Sequence, residues 1–251
     1  MLKEERQNKI LEIIQTEGKA TATALSKRLN VSEDTIRRDL REMDDNGWIN
    51  RVHGGALPNN SGPLLFSDRH EEFLEEKMQL AKQGMKLIKD GHVLIIDGST
   101  TNLQLVKAMP HNLRVTVITN SPVISIELSD HPLIKVIMLG GEFFKESLVN
   151  IGIPLIRALK NMKADLCFLG VHSFHSDFGM SVPHFEESLV KQQMLESANR
   201  TAILLTKSKL NTVSNYSIGD LSHVDYLIID RDIASQSLKP YQKYDMEIIR
   251  A

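Results

Sequence analysis

Six short apolar runs in the last two-thirds of the chain set the strongest limit on what it can fold into. They lie at 92–96 (HVLII), 115–119 (VTVIT), 134–139 (IKVIML), 166–170 (LCFLG), 202–206 (AILLT) and 226–230 (YLIID). Each is nearly continuous in Val, Ile, Leu and Met instead of alternating with polar residues. A strand covered on both faces has this pattern, as in a parallel sheet. Stretches near 101–109, 122–128, 153–160 and 185–199 carry helical patterns and fill the gaps. Strands alternating with helices predict an α/β fold with a mostly parallel sheet. No internal repeat or low-complexity tract interrupts the series.

The first 57 residues differ in kind. They are rich in helix formers and contain no comparable strand run. Residues 58–71 then carry Pro, Gly, Ser and Asn in the pattern of a linker. The division predicted is a small domain at 1–57, a linker at 58–71 and a larger α/β domain at 72–251, within the one or two domains a chain of this length supports. The start, MLKEERQNK, lacks the apolar core of a signal peptide. No apolar run approaches the ~18 residues of a membrane span. The single cysteine, Cys167, sits in an apolar run and is expected to be a buried thiol. These features predict a cytoplasmic protein with no membrane partner. The histidines show no H-E-x-x-H spacing and no Cys partners, and no Walker or dinucleotide glycine pattern occurs, so neither metal nor cofactor is expected. The net charge of -2 means that any nucleic-acid site must be local.

Three helices can be drawn in the small domain, at about 4–17, 22–29 and 33–46, with stops at Gly18 and Gly47 and a tight connection at Asn30-Val31-Ser32. Ser32 suits the N-cap of the third helix. There Ile36, Leu40 and Met43 recur on one face, which turns Arg38 and Arg41 outward with Thr35 and Arg37 at the flanks. A short helix, a tight turn and a helix with exposed arginines fit a recognition helix lying in a major groove. Charge alone does not make that case, because residues 1–60 hold ten basic and ten acidic residues.

The run VSEDTIRRDLREMDDNGWINRVHGGA at 31–56 closely resembles the helix-turn-helix signature of the DeoR family of bacterial regulators, including its wing. Trp48-Ile49 and Arg51-Val52 correspond to wing strands, with Gly54-Gly55 closing the turn. The resemblance implies a winged helix-turn-helix that contacts double-stranded operator DNA through Ser32, Thr35, Arg37, Arg38, Arg41, Arg51 and His53. Helix-turn-helix proteins bind paired half-sites, so a homo-oligomer, dimer or tetramer, is expected.

The resemblance continues through Phe66 and Arg69, Glu76-Lys77, DGSTT at 97–101, TNS at 119–121, Gly140-Gly141, Gly170 and Ser208-Lys209. It implies a domain like sugar-phosphate isomerases that senses a phosphorylated sugar or related metabolite. The predicted strands place these loops at carboxyl ends, where open parallel sheets bind ligands. Effector contacts are therefore expected at Asp97, Ser99, Thr100, Thr101, Asn120, Gly140, Gly141, His172 and Lys209. The stretch 97–101 suits phosphate, with a glycine and hydroxyls leading into a helix start; simple capping is the plainer reading. Two positions depart from the family pattern. Val171-His172-Ser173 stands where an Asp-Gly pair is usual, and Thr206-Lys207 where an aspartate precedes the Ser-Lys pair. Two other functions stay open: a phosphosugar isomerase with an attached DNA-binding module, for which Asp97 and nearby Glu or His residues are the nominal general bases, and a regulator controlled by a protein partner.

Overall fold

The computed structural model describes residues 2–45, 48–58 and 65–251. The expected helix stop at Gly47 and the linker stretch 59–64 lie outside the described residues. The N-terminal domain comprises α1 (Lys3–Glu17), β1 (Ala20–Thr21), α2 (Ala22–Leu29), α3 (Glu33–Asp45), β2 (Ile49–Val52) and β3 (Gly55–Pro58). Gly18 ends α1 by taking φ 73, a region open to glycine, and its N–H bonds the Ile14 carbonyl. Thr21 caps α2 through the Ala24 N–H, and Asn30 ends it in a left-handed conformation. The strands form an antiparallel sheet in the order β1-β3-β2. Ile10, Ile14, Leu25, Ile36, Leu40, Met43 and Ile49 make the core. Asp39 is buried as well, held by Nε and Nη2 of Arg6 at 2.5 and 3.1 Å. That bidentate pair clamps α3 to α1.

The expected linker contains a helix, α4 (Phe66–Glu71), followed by α5 (Leu74–Met85). Phe66 is buried, and its N–H bonds the Glu146 carbonyl at 2.7 Å, so α4 is docked on the larger domain. Pro and Gly around it gave the sequence its linker character.

The larger domain opens with β4 (Val93–Ile96), α6 (Thr100–Lys107), β5 (Thr116–Thr119), α7 (Pro122–Glu127) and β6 (Lys135–Met138). The hairpin β7 (Glu142–Phe144) and β8 (Val149–Ile151) leads to α8 (Ile153–Lys160) and β9 (Leu166–Phe168). Next come β10 (Ser173–His175), β11 (Gly179–Val182), α9 (Phe185–Glu196), β12 (Thr201–Leu205) and β13 (Tyr216–Gly219). The chain closes with β14 (Tyr226–Ile229), α10 (Ser235–Leu238) and β15 (Glu247–Arg250).

Seven strands form one sheet, β15-β14-β12-β9-β4-β5-β6, and every pairing in it is parallel. All six apolar runs are strands of this sheet. The seventh, β15, is too short and too flanked by charge to be read from EIIR. Successive residues face opposite layers, as a pleated strand requires. Leu94 and Ile96 pack with α5 and α6 residues such as Leu80 and Leu105, while Ile95 packs with Leu155 and Val190 of α8 and α9. Cys167 is a fully buried free thiol whose pKa burial pushes up. The antiparallel sheet β10-β11-β13 and the β7-β8 hairpin lie outside this layer pattern; their strands, SFH and YSIG among them, are too short and mixed to announce themselves. Among the described residues no helix is long and apolar enough to cross a membrane, and no cluster of three His, Cys, Asp or Glu could hold a metal.

Candidate functional site

Two surfaces carry the residues singled out by sequence. On α3, Ile36, Leu40 and Met43 are buried, while Arg38 and Arg41 stand exposed on the opposite side. Ser32 accepts the Thr35 N–H at 3.2 Å, and the two hydroxyls lie 2.9 Å apart, so both secure the helix start. Arg37 pairs with Glu33 at 3.1 Å on its own helix. The wing is anchored to α3 where the Arg51 N–H donates to Asp44 at 2.8 Å. Arg51 and His53 are exposed, and a cleft lined by Arg37, Leu40, Arg51 and His53 separates helix from wing. The arrangement presents cations on a protruding helix and hairpin, as a duplex-binding surface requires.

The second surface is a cavity created by strand order. Sequence order reverses between β4 and β9, and the loops leaving these neighbouring strands part to form a crevice. Gly98 and Ser99 follow β4; Gly170, Val171 and His172 follow β9; all five line the cavity. Both glycines are needed for close approach. A Cβ on Gly98 would meet Val149 at 2.2 Å, and one on Gly170 would meet Ser99 at 2.8 Å. Ser99 caps α6 through the Asn102 N–H at 3.0 Å, leaving the helix start facing the crevice.

The remaining wall comes from residues that sequence reasoning missed or named only through resemblance. Arg69 enters from α4, Ser147 from the β7-β8 turn, His184 from the start of α9, and Glu187 and Lys191 from α9 itself. Lys191 is buried and donates to Asp97, and it lies 3.2 Å from Glu187. Burial opposes its charge, but Asp97 and Glu187 outweigh that and hold its pKa above the usual lysine value. Asp97 also accepts the Gly170 N–H at 2.9 Å through the same oxygen, Oδ2. Its Oδ1 is buried without a hydrogen-bond partner among the described residues. Burial, followed by the nearby Lys209 and Arg69, pushes His172 down to about 3, so its ring is neutral. Lys209 is pushed down to about 7 by burial and then by Arg69, Lys77 and Lys191.

Not every expected contact reaches the cavity. Asp97 is buried and does not line it, and neither do Thr100 and Thr101, buried in the first turn of α6. Asn120 braces the loop from behind, its Oδ1 accepting the Gly98 N–H at 3.0 Å. Lys209 stands one layer out, donating to the Val171 carbonyl at 2.7 Å. Gly140 and Gly141 are exposed beyond edge strand β6; Gly141 lets the backbone pass the Ile151 carbonyl, which a Cβ would approach to 2.3 Å.

Residues 6–62 match the family described as the DeoR-like helix-turn-helix domain, and residues 72–231 match the DeoR C terminal sensor domain. The chain is 35% identical to the HTH-type transcriptional regulator GolR of Listeria innocua, over 95% of this chain and 94% of that one. It is 34% identical to the HTH-type transcriptional repressor GlcR of Bacillus subtilis, over 92% of this chain and 90% of the relative. To the L-fucose operon activator of Escherichia coli it is 30% identical, over 94% of this chain and 99% of the relative.

Proposed function

The chain belongs to the DeoR family of DNA-binding transcription regulators, and from that premise we propose that it represses a carbohydrate-metabolism operon under the control of a phosphorylated sugar or related metabolite. One observation carries the ligand: the crevice between β4 and β9 joins the start of α6 to the half-buried Arg69 and the buried Lys191, with Lys209 and Lys77 close enough to act on one another electrostatically. A helix start attracts anions, and an arginine fork matches phosphate oxygens. The neutral His172, on the cavity wall, supplies a contact suited to sugar hydroxyls. GlcR, named a repressor, supports the direction of control, though another relative is named an activator; that one, of the L-fucose operon, supports a carbohydrate operon as target.

In this reading α3 enters the major groove as one half of a homo-oligomer, acting in the cytoplasm on paired half-sites. Ser32 and Thr35 hold the helix start, and Arg37, Arg38, Arg41, Arg51 and His53 provide the contacts. On the same reading the cavity binds without turning over, in keeping with relatives named as transcriptional regulators.

Calorimetry with aldose and ketose monophosphates tests this. At ~100 times Kd the ligand stabilises the chain by about 2.7 kcal/mol. A phosphate monoester is already largely a dianion at pH 7.5. Such an anion draws the Lys209 pKa up from about 7, so binding takes up protons. The binding heat then varies with the ionisation enthalpy of the buffer, and Lys209→Met reduces that variation. No binding by any sugar monophosphate, or interconversion of one in a coupled assay, rejects the reading.

A further inference from the structure

The cavity is small as it stands. Its volume is about 20 Å³, close to the room one water needs. A phosphorylated sugar enters only if a wall yields. The wall at 171–172 is tied to an unusual segment. Lys209 donates to the Val171 carbonyl at 2.7 Å, and Thr212 donates back to the Lys209 carbonyl at 2.8 Å. At the other end Ser214 Oγ lies 3.2 Å from His172 Nδ1 and 2.8 Å from Ser173 Oγ. Residues 209–214 thus grip the cavity wall twice.

Between those grips the same segment touches the other domain. Asn50 of β2 donates its side-chain amide to the Val213 carbonyl, and the Val213 N–H donates to the Pro58 carbonyl of β3 at 3.4 Å. Both backbone groups of Val213 are thereby clasped by the wing. Two residues earlier, Asn211 packs against Gly18, the end of α1: a Cβ on Gly18 would meet the Asn211 Cβ at 3.2 Å. Nearby, His175 bonds the Gly18 backbone, and an exposed ion pair joins Lys19 to Asp177 at 3.4 Å; exposed pairs contribute little.

We propose that residues 209–214 transmit occupancy of the cavity to the wing: a ligand that displaces 171–172 withdraws Val213 from Asn50 and Pro58 and frees the wing from the sensor. This rests on the cavity being the ligand site. Coupling between sites is reciprocal, so releasing the clasp by mutation makes the cavity easier to open. Asn50→Ala, at a residue that does not line the cavity, therefore tightens ligand binding.

The chain carries its own reporter. Trp48 is its only tryptophan, exposed, and adjacent to the first residue of β2. The experiment titrates the full chain with inorganic phosphate and with aldose and ketose monophosphates. It records calorimetric Kd and Trp48 emission together. In the parent chain the emission change is expected to follow the calorimetric Kd. Asn50→Ala is expected to lose that change and to bind roughly 5-fold tighter or more, the lower end of typical coupling. Ser214→Ala, which removes the hydroxyl contacts to His172 and Ser173, is expected to weaken the emission change too, and serves if the first variant does not fold. Binding without any emission change in the parent, or unchanged emission response and affinity in both variants, overturns the transmission and leaves the cavity standing. Absence of calorimetric binding for every probe overturns the cavity reading, and the transmission with it.

Discussion

The surface of α3 and the cavity between β4 and β9 place charge in opposite surroundings. On α3, Arg38 and Arg41 stand in water. At the cavity, Lys191 and Glu187 of its lining and the Asp97 bonded to Lys191 are all buried and depend on one another. An exposed charge costs little to hold and little to remove. A buried charge is tolerated only while its partners stay, because removing one leaves the others dry and uncompensated. The first surface is therefore free to change specificity without touching the fold. The second can change its ligand only by rebuilding a network.

The largest effect that would sharpen the contrast lies at Lys191. Lys191→Met keeps the length of the side chain and strands Asp97 and Glu187 without their buried cation. Breaking a buried pair in this way costs about 3–5 kcal/mol. Urea unfolding followed by far-ultraviolet circular dichroism is expected to show the loss. A midpoint equal to that of the parent would mean that the network is not held as described, and the contrast would fail at its strongest point.

A smaller effect, of opposite character, is expected on α3. Arg38→Ala or Arg41→Ala should cost about 1–3 kcal/mol in specific DNA binding for whichever arginine reads a base, with stability within about 0.5 kcal/mol of the parent. The DNA is a site selected by the full chain from a random library, and titrations share one salt concentration because phosphate contacts are salt-dependent. If both variants bind the selected site as the parent does, α3 does not read it. If either one unfolds early, the exposed face is not as independent as its burial indicates.

The same contrast explains what could be read from the sequence. The face of α3 comes from consecutive residues, so helical period alone sorted Ile36, Leu40 and Met43 from Arg38 and Arg41. Period also puts Asp39 on the inner side, yet its partner Arg6 is on another helix and no local pattern names it. The main sheet was legible because strands buried on both faces are apolar throughout. Its strand-end loops at 97–99 and 170–172 followed directly. The far wall did not. Glu187 and Lys191, four apart on a helix, look the same in sequence whether they face solvent or a cavity. Arg69 sits in a stretch whose Pro and Gly content hid a helix. Gly140-Gly141 has the composition of a phosphate loop, but strand order puts it past β6, at the sheet edge and two strands from β4. Sequence locates the ends of strands; only the order of strands decides which ends meet.

Ser99 belongs to both kinds of surface at once, and it allows the finest test. Its side chain caps α6 through the Asn102 N–H, and it also lines the cavity. If capping is its whole role, Ser99→Ala costs ~1 kcal/mol of stability and Ser99→Gly only a few tenths, since glycine is an acceptable cap residue. Ligand affinity would then follow stability only weakly, and Ser99→Gly would bind a sugar monophosphate nearly as the parent does. If the hydroxyl also meets the ligand, both variants lose affinity alike, though their stabilities differ. Calorimetric titration of the two variants beside their urea midpoints separates these outcomes. The expected result is the second, because the Ser99 hydroxyl sits where the start of α6 opens into a crevice lined by Arg69 and Lys191. Parallel loss of stability and affinity in Ser99→Ala, with neither lost in Ser99→Gly, would return the residue to a purely structural part and move the anion contact onto the backbone of 98–100.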